Sequence, residues 1–94
     1  MYWGNFFLAN LAEADFEGAQ LRGADLKKAK LTRVNLKNAD LGRDNVGGST
    51  QLQGADLTDT KVDGANFEGA EYDGETVFPE GFDPKKHKMI SKPW

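Results

Sequence analysis

Large apolar residues recur along this chain every five positions, at Phe6, Leu11, Phe16, Leu21, Leu26, Leu31, Leu36, Leu41 and Val46. The spacing slips once, to six, and then resumes at Leu52, Leu57, Val62, Phe67 and Tyr72. Two residues before most of these centres stands a small side chain, Ala at 9, 14, 19, 24, 29, 39, 55, 65 and 70. Gly falls two residues after the centre at Gly18, Gly23, Gly48, Gly54, Gly64, Gly69 and Gly74, a position that suits a corner. Most of the remaining positions are polar, charged or Gly. A period of five matches neither the 3.6 of a helix nor the 2 of a strand. It predicts a chain that turns a corner every few residues and stacks on itself as a solenoid. Ala, Leu, Lys and Glu between Ala9 and Leu41 are helix formers, but a helix would smear this period around its circumference and bury nothing coherently.

The unit A-(D/N)-L-x-x, as in Ala14-Asp15-Phe16, Ala24-Asp25-Leu26 and Ala65-Asn66-Phe67, resembles the pentapeptide-repeat family over residues 4 to about 74. The resemblance implies an all-β fold: a right-handed quadrilateral parallel β-helix with one pentapeptide per side, four per coil and about three and a half coils. Centre and small residue would point inward and the other three positions outward. The expected inner columns are Phe6/Leu26/Val46/Phe67, Leu11/Leu31/Leu52/Tyr72, Phe16/Leu36/Leu57 and Leu21/Leu41/Val62. Residues 1–78 would form the β-helix, with the register slip at 47–51, and 79–94 a cap and basic tail.

At the slip, Asp44 occupies a slot that should be small and inward, and Gly47 and Gly48 are expected to absorb a bulged corner. Thr50 and Thr60 replace inward Ala with hydroxyls that can bond to the coil backbone, and Val34 is a larger filler. After Tyr72 the period stops at Val77-Phe78-Pro79-Glu80-Gly81-Phe82-Asp83-Pro84. The prolines end strand pairing, and Phe78 and Phe82 are expected to fold over the last coil, the alternative being a docking peptide for another protein. This run resembles the tail of small pentapeptide-repeat proteins from photosynthetic bacteria and plastids. Met1, Tyr2, Trp3 and Phe7 are expected to lid the other end, which would otherwise be open to self-association through an end coil. The basic segment 85–94, ending in Trp94, reads as a frayed terminus, or as an anchor for an acidic partner or an anionic headgroup layer.

Composition removes several classes of function. The chain has 94 residues, enough for one domain, with no Cys and a single His, His87. Thiolate sites and imidazole pairs are therefore excluded, and neither metal nor cofactor is expected. A net charge of −3 argues against a nucleic-acid partner or a membrane surface. No apolar run approaches a membrane span, and the N-terminus lacks the features of a secretory signal, so the expected location is cytoplasmic.

Charge is banded. Glu13, Asp15 and Glu17 precede a basic belt of Arg22, Lys27, Lys28, Lys30, Arg33, Lys37 and Arg43, and carboxylates dominate from Asp56 to Asp83. Carboxylates on a flat solvated wall lack a pocket to desolvate them, and Ser49 and Ser91 have no neighbouring His, so no catalytic residue is expected. The expected role is a non-enzymatic scaffold or protein-binding module for an unknown protein partner. Its candidate contact residues are Arg22, Lys27, Lys28, Lys30, Arg33, Phe78, Phe82 and Trp94. An alternative implied by the resemblance is a DNA mimic that binds DNA gyrase. The basic belt opposes it, because a DNA-binding groove would repel those seven residues.

Overall fold

The computed structural model describes residues 4–43 and 48–93. The described chain winds as a right-handed, four-sided β-solenoid. Its sides are single parallel ladder pairings, and only β1 (Glu71–Tyr72) and β2 (Ile90–Ser91) form a continuous two-residue strand pair. On the first wall the pairings run Asn5, Asp25, Gln51, Glu71 and Ile90; on the second, Asn10, Lys30, Asp56 and Val77. The third wall carries Asp15, Asn35 and Lys61, and the fourth Gln20, Asp40 and Asn66.

Each side repeats one local design. The residue before the centre pairs with the next coil, as Phe6 N–H donates to the Asp25 carbonyl (2.8 Å) and Asp25 N–H to that of Gly4 (2.8 Å). The centre's carbonyl then accepts from the N–H three residues on, Ala9 to Phe6 at 2.9 Å, closing a turn. The third residue of that turn is left-handed, as a type II turn requires. Gly supplies it at Gly64 (φ 72°), but Leu8 (φ 62°), Glu13, Lys28, Arg33, Asn38 and Asp59 adopt it too. The Asp or Asn of the motif has its own task. Its side-chain oxygen accepts the N–H two residues on, as Asp25 does from Lys27 (3.1 Å) and Asn35 from Lys37 (3.0 Å), satisfying a corner donor that no strand reaches.

The interior is sealed by the inward pairs. Leu26, Leu31, Leu36, Leu41, Leu52 and Leu57 are 2 % exposed or less, and Ala24, Ala29, Ala39, Ala55 and Ala70 sit beside them. Thr60 donates its hydroxyl to the Leu31 carbonyl (2.7 Å), so its burial leaves no unpaired donor.

The register across the slip differs from the sequence reading. Pairings in the first coil join residues 20 apart, Asn5 to Asp25, whereas those in the next join residues 26 apart, Asp25 to Gln51 and Lys30 to Asp56. The register of the described residues therefore steps by six between Arg43 and Thr50, and the ladder continues from one to the other. The inner columns become Phe6/Leu26/Leu52/Tyr72, Leu11/Leu31/Leu57, Phe16/Leu36/Val62 and Leu21/Leu41/Phe67. The expected columns placing Phe67 above Leu26, Leu52 and Tyr72 above Leu31, Leu57 above Leu36, and Val62 above Leu41 are corrected. Asp44, Asn45, Val46 and Gly47 lie outside the described residues. Thr50 closes the excursion: its hydroxyl lies 3.0 Å from the Leu21 carbonyl and 3.1 Å from that of Gly42, and accepts from Gly23 N–H.

At the C-terminal end, Phe78 stacks on Phe82 (5.0 Å between centroids), and Phe82 meets Phe67 edge-on at 5.3 Å and stacks on His87 at 4.2 Å. Segment 85–93 is not frayed. Lys88 adopts the corner conformation (φ 59°), Met89 is buried in the slot that Ala fills elsewhere, and β2 lies parallel on β1. Gln53 holds this return in place, donating to Glu71 (3.0 Å) and to the Lys92 carbonyl (2.8 Å).

Candidate functional site

With its interior filled, the molecule offers only its walls. The basic residues do not form one patch on them. Arg22 belongs to the first coil and the others are spread around the second, because each pentapeptide turns the chain through a corner.

Arg22 lies on the fourth wall, where its Nε donates to the Arg43 carbonyl (3.1 Å) and faces Asp40 at 3.5 Å. With Arg43, Asn66 and Glu68 it lines an open polar cleft of about 350 Å³. Lys27, on the corner leaving the first wall, is largely covered; its Nζ lies 3.1 Å from Asp25, 2.8 Å from Gln51 and 6.0 Å from the centre of the Phe7 ring. Lys28 and Lys30 are exposed on the corner and face of the second wall, and Arg33 lies at that wall's far corner, 3.0 Å from Glu13. Both members of the Arg33–Glu13 pair are about two-thirds exposed, so water screens it and it contributes little. Lys37 faces the third wall. Phe78 and Phe82 are half-buried in the terminal cap, packed on Tyr72 and Phe67, and Trp94 lies outside the described residues.

Of the candidates, then, the structure brings together Lys28, Lys30 and Arg33 on the second wall and Phe78 with Phe82 in the cap, and sets Arg22 and Lys27 apart on other sides. The second wall also carries features that sequence reasoning passed over. Leu8 is 63 % exposed, the highest exposure among the large apolar residues described. It holds a left-handed corner that costs a leucine roughly 1–2 kcal/mol. Val77, at the wall's other end, is 47 % exposed. Phe7, expected to lid the first coil, is instead 41 % exposed on the corner beside Leu8; Met1, Tyr2 and Trp3 lie outside the described residues. The signal was available: Leu8 occupies the corner slot where Gly recurs, and a bulky apolar residue there can neither reach the interior nor relax.

Below the basic row, Asp56 accepts from the Thr58 N–H (3.0 Å) and hydroxyl (2.6 Å), and Asp59 stands exposed at the far corner. The second wall thus runs from Leu8 and Asn10 through Lys28, Lys30 and Arg33 to Asp56, Asp59 and Val77. Among the described residues, no three side chains of metal-binding type come together. No helix there is long and apolar enough to cross a membrane.

This geometry defines a class: a short quadrilateral β-solenoid with a filled core and flat polar walls. A model of pentapeptide repeats matches residues 5–43 and 50–71 in eight copies, and the chain belongs to that family. The match omits residues 44–49, across which the ladder register steps by six. Similar solved structures include alr5209, a pentapeptide repeat protein from Nostoc PCC 7120, at 29% identity over 94% of this chain and 84% of that one (TM-score 0.47). Rfr23, a pentapeptide repeat protein from the cyanobacterium Cyanothece 51142, is 32% identical over 83% of this chain and 46% of its own (TM-score 0.44). HetL, a pentapeptide repeat protein involved in heterocyst differentiation regulation in Nostoc sp. strain PCC 7120, is 24% identical over 94% of this chain and 45% of its own (TM-score 0.36). The chain therefore spans less than half the length of the last two. No curated protein matches it at a significant level.

Proposed function

We propose that this protein is a non-enzymatic scaffold whose second wall docks another protein. One observation carries the reading: Leu8, exposed and in a costly backbone conformation, shares a wall with Lys28, Lys30 and Arg33. An apolar residue that does nothing for its own core, on a wall that also carries three cations, fits a surface that is covered in use. The filled interior supports the absence of catalysis, since a substrate would find no desolvated pocket. The cytoplasm suits a chain of this composition. The Phe78–Pro84 tail, with its resemblance to small members from photosynthetic bacteria and plastids, supports a setting in a photosynthetic cell.

The test is affinity capture from native extract, comparing the whole chain with a Lys28→Glu/Lys30→Glu/Arg33→Glu variant. The wild-type bait should retain a stoichiometric protein that the variant loses. Equal capture by both would remove the second wall from the account.

A further inference from the structure

The second wall is complementary to itself. Its outward positions form columns that step down the solenoid one coil at a time: Asn10, Lys30, Asp56 and Val77 in one, and Glu13, Arg33 and Asp59 at the far corner. Leu8, Lys28, Gly54 and Gly74 form the near corner. Each column is cationic in the second coil and anionic or bare in the third. A two-fold axis lying across the wall, midway between those coils, would invert the order of every column. Lys30 of one copy then meets Asp56 of the other, Arg33 meets Asp59, and Thr32 meets Thr58. Leu8 falls on Gly74, which has open space where a side chain would stand, and lies near Val77.

We propose that two copies of this chain associate antiparallel through their second walls, forming a closed, isologous dimer. This rests on the reading of that wall as a docking surface and names its occupant. Three observations converge on it. Charges of opposite sign occupy positions that a single two-fold brings into register, twice over. Two exposed large apolar residues, Leu8 and Val77, stand at opposite ends of the wall, where the same operation brings them towards each other's copy. The body measures 30 × 26 × 25 Å, so one wall covers about 600 Å², and two in contact bury on the order of 1,200 Å², the lower edge of specific interfaces. The other walls repeat this inversion less fully. On the third, Lys37 stands over Asp63 but Asn35 over Lys61, and on the fourth Asp40 stands over Asn66 and Arg43 over Gly69.

Sedimentation velocity on the purified full chain, from about 1 µM to about 1 mM, tests this directly. A monomer–dimer equilibrium that weakens with salt is expected. Leu8→Gly should weaken it by at least about tenfold, since each dimer loses two buried leucines. The same substitution should leave the melting temperature of the dilute monomer unchanged or raised, which a core role for Leu8 would not permit. Lys30→Glu/Arg33→Glu and Asp56→Lys/Asp59→Lys should each be monomeric alone, yet form a heterodimer when mixed, because every cross-copy pair is then opposite again. A wild type that stays monomeric throughout would overturn the dimer. If it still captured a different protein through Lys28, Lys30 and Arg33, the docking reading would survive without it. A dimer unmoved by Leu8→Gly and by the charge reversals would also overturn the proposal, since the contact would lie elsewhere.

Discussion

The first and second coils are built from the same repeat, yet they bury it differently. Leu26, Leu31 and Leu36 are almost wholly enclosed, while Phe6, Leu11 and Phe16, one coil earlier in the same columns, are only half-buried. The ladder shows the same contrast. Asp25 and Lys30 donate their N–H groups to the preceding coil, at 2.8 Å to Gly4 and 2.8 Å to Ala9, but those of Asn10, Asp15 and Gln20 reach no partner among the described residues. A pentapeptide therefore seals nothing by itself; it is sealed by neighbours above and below. The opposite end makes the same point by other means. There Phe78, Phe82 and Met89 take the place of a missing coil, and Phe67 beneath them is 1 % exposed.

The sharpest way to break this comparison is to remove one methyl-rich side chain from each coil. Leu31→Ala should cost about 3–4 kcal/mol of unfolding free energy, whereas Leu11→Ala should cost about half as much, both read by denaturant titration. Equal losses would mean that the first coil is better covered than its described residues imply. Phe82→Ala should cost about 2–3 kcal/mol, because it opens the cap over Phe67 and removes ring contacts with Phe78 and His87. A loss below about 0.5 kcal/mol would show that the tail lies on the core without sealing it. Gly64→Ala should cost about 1–2 kcal/mol, since Gly64 holds φ 72° and an added Cβ would strike the Asn38 side chain. The smallest effect is expected from deleting residues 44–49. That joins Arg43 to Thr50 and restores a five-residue step from Leu41 to Leu52, so the fold should be retained and its stability changed by no more than about 1 kcal/mol. Loss of the β spectrum on this deletion would return Val46 to the repeat.

Much of this architecture is legible in the sequence because the period is imposed by geometry. An inward pair every five residues, an Asx side chain to hold the corner, and Gly where the turn is left-handed all leave a visible trace. The excursion after Arg43 was misread for a physical reason. Val46 stands five residues after Leu41, so spacing alone cannot show that the ladder passes from Arg43 to Thr50. Asp44 in the inward slot was the stronger clue, since a carboxylate there would be buried among Ala and Leu. The return of the tail was illegible too. Met89 and Ile90 follow a run of lysines with no periodic partner, and it is the pairing of β2 on β1, the burial of Met89 and the contacts of Gln53 and Glu71 with Lys92 that bring them home. The docking wall was half legible: the basic belt was visible as charge, but its division among four walls needed the coil register, which the misread excursion had displaced.

Amide hydrogen exchange tests the central claim, that burial in this molecule is conferred by stacking between coils. The N–H groups of Leu26, Leu31, Leu36, Asp56 and Lys61, which bridge coils across the 26-residue step, should exchange only through global unfolding, while those of Asn10, Asp15 and Gln20 exchange orders of magnitude faster. Uniform protection across both sets, or fast exchange at Asp56 and Lys61, would contradict it.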